Sequence, residues 1–202
     1  MELYLLRHGR SCANDANLVT GDKTDPLSPT GRKQAVASAR LLHQFNLDDY
    51  DTVRFVSDWK RAQETAALAA PQMSFAIDAR LGETNAGSAA QMNLRTFNHA
   101  YPDFWTSFTP HRPYPGGESH ADLYSRVLAW TTDLTKTFPP NAKVLAVTHA
   151  GPICAILHSV CKTDMVHFPS FLSANASLTK IEQTTADSWR LAFFSLSSEM
   201  VV

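Results

Sequence analysis

The chain has little of what marks the more specialised protein classes. Its cysteines, Cys12, Cys154 and Cys161, are odd in number and show no CxxC or metal-type spacing. That argues against a disulfide scaffold, a zinc ribbon and a dithiol redox motif, and free thiols in a reducing compartment are expected. Charge of one sign is not in excess: 18 Lys and Arg stand against 19 Asp and Glu. No electrostatic footprint for nucleic acid or an anionic membrane surface follows from that balance. No apolar run approaches the roughly 20 residues needed to cross a bilayer. The opening Met1-Glu2-Leu3-Tyr4-Leu5-Leu6 has no basic leader and meets Arg7 too soon for a signal peptide. These absences together point to a cytoplasmic protein with neither nucleic acid nor membrane as partner. Low-complexity tracts, fixed-period repeats and a linker rich enough to mark a second domain are also missing.

What is there suits one domain over residues 1–202, since 202 residues that are 44% hydrophobic can bury a sizeable core. Short apolar strands are expected at Glu2–Leu6, Thr52–Val56, Phe75–Ile77, Lys143–Thr148, Ser177–Glu182 and Trp189–Phe194, the last two joined by a polar turn. Between them, Ala35, Ala39, Leu42 and Phe45 recur at helical spacing. Ser57 is a candidate N-cap for a helix over Asp58–Ala70. A long helix is expected from Glu118 to Phe138, closed by Pro139-Pro140, and another from Gly151 to Cys161 with Pro152 near its start. Strands separated by helices imply an α/β three-layer sandwich, a mostly parallel central sheet covered on both faces. Residues 85–117, rich in proline and aromatics, read as an irregular, cap-like insertion of short helices. Phe97, Tyr101, Phe104, Trp105 and Phe108 are expected to pack that cap.

Two segments share one form. Leu3-Tyr4-Leu5-Leu6-Arg7-His8-Gly9 and Val144-Leu145-Ala146-Val147-Thr148-His149-Ala150-Gly151 each run an apolar strand into a histidine and then a glycine. Ligands of α/β sheets bind outside the carboxyl ends of the strands, so the two histidines would face one crevice. Arg7 adjoins His8, and Arg61 lies one turn into a helix that also starts from a strand's carboxyl end. Guanidinium groups match phosphate oxygens in bidentate fashion. The expected pocket therefore takes a small phosphorylated substrate. Arg32, Arg40, Arg54 and Arg126 are read as surface arginines in ion pairs. His43, His99, His158 and His167 lack evident partners, and exposure accounts for His111 and His120.

The run Leu-Arg-His-Gly, with Asn14 beyond it, resembles the signature of the histidine phosphatase superfamily, the phosphoglycerate mutase-like proteins. The resemblance continues in order through Thr20-Gly21, Asp25-Pro26-Leu27-Ser28, Gly31 and Gln34-Ala35. It extends to Ser57-Asp58-Trp59-Lys60-Arg61-Ala62-Gln63-Glu64-Thr65-Ala66, Leu81-Gly82-Glu83 with Gly87, Pro115-Gly116-Gly117-Glu118-Ser119 and Thr148-His149-Ala150-Gly151. It implies a phosphoglycerate mutase-like fold and a metal-independent phosphoric monoester hydrolase with no cofactor, as monomer or homodimer. It also implies His8 as nucleophile, forming a phosphohistidine. Arg7, Arg61 and His149 would hold the phosphoryl oxygens, with Asn14 and the backbone of Gly21 and Ala150 as neutral donors. Glu83 would be the general acid and base.

The sequence departs from that pattern in two places. Arg10 stands where the motif usually has Glu or Gln, adding a cation that either meets an acidic substrate or points to solvent. Thr84-Asn85-Ala86-Gly87-Ser88-Ala89-Ala90 replaces the charged segment with which mutases of the family hold phosphoglycerate, so phosphatase is favoured over mutase. A non-catalytic phospho-ligand binder would be expected to lose His8 or Glu83, and both are present. Asn85, Arg112 and Tyr114 are candidates for substrate selection. The sequence leaves the substrate open among α-ribazole phosphate, sugar phosphates, phosphoproteins and a broad set.

Overall fold

The computed structural model of the chain describes residues 1–107, 109–185 and 188–198. Six strands form one sheet: β1 (Glu2–Arg7), β2 (Val53–Val56), β3 (Ala76–Ile77), β4 (Lys143–Thr148), β5 (Leu178–Thr185) and β6 (Ser188–Leu196). Their order across the sheet is β3-β2-β4-β1-β5-β6. The first four are mutually parallel, while β5 runs antiparallel to β1 and β6 antiparallel to β5. The helices are α1 (Cys12–Asp15), α2 (Pro29–Gln44), α3 (Lys60–Ala69), α4 (Leu94–Ala100), α5 (Asp103–Thr106), α6 (His120–Thr137) and α7 (Ala150–Val160). Phe108, expected in the cap, and residues 186–187 of the last turn lie outside the described residues. None of the described helices is long and apolar enough to cross a membrane.

Side chains alternate across a strand, and here both sets are apolar. Leu3 and Leu5 of β1, with Val144 and Ala146 of β4, join Leu123, Val127 and Trp130 of α6 and Ile153 to Leu157 of α7 in one core. Tyr4 and Leu6, with Leu145 and Val147, face the other way onto Leu41 and Leu42 of α2 and Ala62 and Ala66 of α3. The central strands are thus buried on both faces, as a parallel sheet requires. A third, smaller cluster of Val19, Ala86, Ala89, Phe97, Phe104 and Tyr114 sits in the cap.

Helix starts differ from the sequence expectations for local reasons. α6 begins two residues late because Ser119 caps it, with Asp122 closing a reciprocal box. α3 begins at Lys60 behind Trp59, with no side-chain cap. Ser57 is not its N-cap, since its hydroxyl is taken by the Trp59 amide at 3.2 Å and by His149 at 2.8 Å. Pro152 falls inside the first turn of α7, behind His149 at the cap position. Arg54 is no surface arginine: it is buried and donates to the carbonyls of Leu47, Thr52 and Asp49.

Trp130 fills the α6 side of the sheet, its ring edge-on to Phe55 at 5.7 Å. Trp130→Ala is expected to remove about 3–5 kcal/mol of stability, read as a fall in the urea midpoint. A loss below about 1 kcal/mol would contradict this packing.

Candidate active site

Strand pairing brings the two histidines together. Arg7 of β1 lies opposite Thr148 of β4 in parallel register, so His8 and His149 leave the sheet side by side, their ring centroids 4.9 Å apart. The His8 amide donates to the Thr148 carbonyl at 2.9 Å. β2 ends beside β4, with Val56 opposite Val147, and α3 then carries Arg61 back to the same edge. Thr65 ties these pieces, accepting from the Gly9 amide at 3.1 Å and donating to the Arg61 carbonyl at 2.7 Å.

His8 is buried. Its Nδ1 lies 2.6 Å from the Gly9 carbonyl oxygen, an acceptor only, so Nδ1 carries the ring hydrogen. Nε2 keeps its lone pair and accepts from Arg61 Nε at 3.1 Å. Burial, then Arg61, then Arg7 hold the imidazole well below its ordinary pKa, so it is neutral near pH 7. Burial, Arg61 and His8 do the same to His149. The Ser57 hydroxyl 2.8 Å from His149 Nε2 leaves Nδ1 without a protein partner among the described residues. Arg7 gives Nη1 to the Ser173 carbonyl, while its buried Nε is likewise unpartnered. Orphaned buried polar atoms are rare; Arg7 Nε, a donor, fits a ligand that accepts hydrogen bonds, and so does His149 Nδ1 in the tautomer whose Nε2 accepts from Ser57.

Arg61 is fully buried. It donates to the Thr20 and Asp22 carbonyls at 2.9 Å each, stacks over Trp59 at 4.6 Å and lies 3.8 Å from the Asp25 carboxylate. Burial pushes its pKa down to about 10, against the pull of Glu83 and Asp25, so it remains a cation.

Glu83 follows a short 3-10 turn, Ala79–Leu81. Its carboxylate accepts the Gly151 amide at 3.1 Å and the Thr84 amide at 2.9 Å. A Cβ at Gly151 would stand 2.0 Å from Glu83 Oε1, so only glycine admits this approach. Gly21 meets the cap as tightly, a Cβ there falling 2.2 Å from that of Ala86. Asn14 lies at the rim: its Oδ1 accepts from the Ser11 amide at 3.1 Å and faces Asn175 at 3.5 Å. Asn175 in turn donates to the His8 carbonyl at 3.2 Å. Ala150 opens α7 directly after His149.

Arg10 folds onto Asp15 at 2.5 Å. Arg126 holds Glu118 in a two-pronged pair and donates to the carbonyls of Arg80, Gly82 and Glu83. It clamps the segment that carries Glu83, a role its place in the sequence does not reveal. His120 is buried rather than exposed, 3.3 Å from the Thr84 hydroxyl, and His158 is buried beside Thr163 at 2.9 Å. Among the described residues no group of three His, Cys, Asp or Glu side chains is placed to hold a metal ion.

A family model described as histidine phosphatase superfamily (branch 1) matches residues 3–196. Glucosyl-3-phosphoglycerate phosphatase of Mycobacterium tuberculosis is 27% identical over 98% of this chain and 96% of its own length. Phosphoserine phosphatase 1 of Hydrogenobacter thermophilus is 30% identical over 90% and 86%. The mycobacterial glucosyl-3-phosphoglycerate phosphatase solved in complex with VO3 superposes with a TM-score of 0.85 at 27% identity, covering 97% of this chain and 99% of that one.

The depressed imidazoles have a consequence for stability. Folding holds His8, His149 and His120 below their ordinary pKa, burial being the largest cause for each. Unfolding releases them to take up protons near pH 6.5. Stability is therefore full above about pH 6.5 and falls as pH drops below it. Tm is expected to decline between pH 7.5 and 5.5, with a shallower slope in His8→Asn. A flat profile in the wild type would show that these rings take up protons alike in the folded and unfolded chain, and so would contradict their depression in the fold.

Proposed function

The chain belongs to the histidine phosphatase superfamily (branch 1) and is a phosphoric monoester hydrolase, and we propose that His8 is its nucleophile and Glu83 its proton donor. The observation that carries this reading is the state of His8: a buried neutral imidazole, lone pair on Nε2, beside Arg61 and the unpartnered Arg7 Nε and His149 Nδ1.

A phosphate monoester accepts from Arg7, Arg61 and His149, with Asn14 and the amides of Gly21 and Ala150 as further donors. As the leaving oxygen departs, charge on the phosphoryl group is met by these fixed donors, the arrangement that electrostatic catalysis needs. Arg61 Nε turns its hydrogen bond from His8 Nε2 to a phosphoryl oxygen, which frees the lone pair. Nε2 then forms the P–N bond while the ester P–O bond breaks, and the Glu83 carboxyl gives its proton to the departing alkoxide. Water then attacks phosphorus, its proton passes to Glu83, and the P–N bond breaks to release phosphate and restore neutral His8. The hydrogen bond from Nδ1 to the Gly9 carbonyl holds the tautomer through both steps. The three free cysteines suit a cytoplasmic enzyme. The small, uncharged stretch from Thr84 to Ala90 favours hydrolysis over mutase-type transfer.

His8→Ala is expected to abolish both turnover and the acid-labile phosphoenzyme; full activity in it would end this reading. Glu83→Gln should lose about 10²–10⁴ in kcat on alkyl phosphates. It should lose much less in phosphoenzyme formation from 4-nitrophenyl phosphate, whose leaving group needs no proton. Equal losses on both would remove Glu83 as the acid. Gly151→Ala, which drives a methyl into Glu83, should cost about 10² in kcat with little change in KM. An unchanged kcat would show that Glu83 yields to the methyl and works from a shifted position, against the need for this close approach.

A further inference from the structure

Two recesses meet at Glu83, and their linings differ in chemistry. One, of about 190 Å³, is walled mainly by Leu18, Val19, Ala86, Leu94, Trp105 and Tyr114, and its lining also includes Thr20, Thr84, Gly21 and Glu83. That lining contains no Lys, Arg or His. The other, of about 430 Å³, includes Lys23, Asn85, Glu118, Asp122 and Arg126. Its cations are already engaged. Lys23 meets Asp58 at 2.7 Å, and Arg126 spends its donors on Glu118 and the carbonyls of residues 80, 82 and 83.

A leaving group that carries a carboxylate would meet no cation in the apolar recess, an unfavourable transfer wherever it loses water. An apolar group finds the reverse there. Leu94 and Trp105 are 45% and 41% exposed, large apolar side chains left uncovered at one place. The indole is held in position: its N–H donates to Asn98 at 3.0 Å, and its ring stands edge-on to Phe104 at 4.8 Å. An aromatic wall fixed in this way, with an exposed leucine beside it, is a surface that gains by being covered.

We propose that the preferred substrate is a phosphate monoester of an uncharged alcohol bearing an apolar group of about ring size, seated against Leu94, Trp105 and Tyr114. The proposal rests on the phosphatase reading of the His8 and Glu83 site. It separates this chain from relatives named for glucosyl-3-phosphoglycerate and phosphoserine, whose leaving groups are acidic.

The test uses esters of primary alcohols, so that leaving-group chemistry stays comparable: 2-phenylethyl phosphate, glycerol 1-phosphate and phosphoserine. The kcat/KM values are expected to fall in that order, by at least about tenfold from first to last. Trp105→Ala should shrink the ratio of phenylethyl to glycerol ester, and Trp105→Phe should restore most of it, with Tm checked for both. Binding is read in parallel by calorimetry with 2-phenylethylphosphonate and 2-carboxyethylphosphonate, neither of which can be hydrolysed. A preference for phosphoserine, or tighter binding of the carboxylate-bearing phosphonate, would overturn the proposal. So would a ratio that Trp105→Ala leaves unchanged. If no ester is hydrolysed yet the phenylethylphosphonate binds more tightly, the recess assignment stands and the phosphatase reading falls.

Discussion

The contact between Arg61 Nε and His8 Nε2 is the constraint around which the rest is arranged. A buried cation beside an imidazole keeps that ring neutral, and the hydrogen bond from Arg61 covers the Nε2 lone pair until an anion draws the guanidinium N–H onto itself. Neither partner could be held there alone. Arg61 needs the carbonyls of Thr20 and Asp22, the Trp59 face and the Asp25 carboxylate to remain charged out of water. His8 needs the Gly9 carbonyl to fix its tautomer. Losing water makes a charge costly and strengthens its interactions in the same measure. The site uses that trade by surrounding one guanidinium with acceptors and leaving other donors unpaired.

The sheet makes this contact possible. Parallel pairing of β1 with β4 sets Arg7 opposite Thr148, so two chain segments far apart in sequence deliver one histidine each to the same edge. This much was legible in the residues, because an apolar strand running into His and Gly occurs twice. The sheet and its two covering layers were legible too, since Leu3 to Leu6 and Val144 to Val147 are apolar on both faces. The expected strand at Lys143–Thr148 has those bounds in the structure.

Other features depended on contacts that no local pattern reports. Arg126 looks like any arginine on a helix, yet its partners are three carbonyls more than forty residues away. Ser57 has the composition of a helix cap, and tertiary demand from His149 claimed its hydroxyl instead. His120 sits in the first turn of α6, where most side chains face water; the cap lying over that turn, with Phe168 and Tyr114, buries it. In each case the deciding partner comes from another layer of the fold. The start of α6 is the opposite case: Ser119 and Asp122 stand three apart, a local signal that the expected start at Glu118 passed over.

The cap packs on a core of its own, Val19, Ala86, Ala89, Phe97, Phe104 and Tyr114, separate from the two cores that hold the sheet. Leu94 and Trp105 lie at its outer margin and belong to none of the three clusters. Replacing them therefore leaves the packing of the sheet and the His8 edge untouched. Variation at these solvent-facing positions is thereby uncoupled from the sheet that carries the two histidines, and what it perturbs is confined to the aromatic packing of the cap.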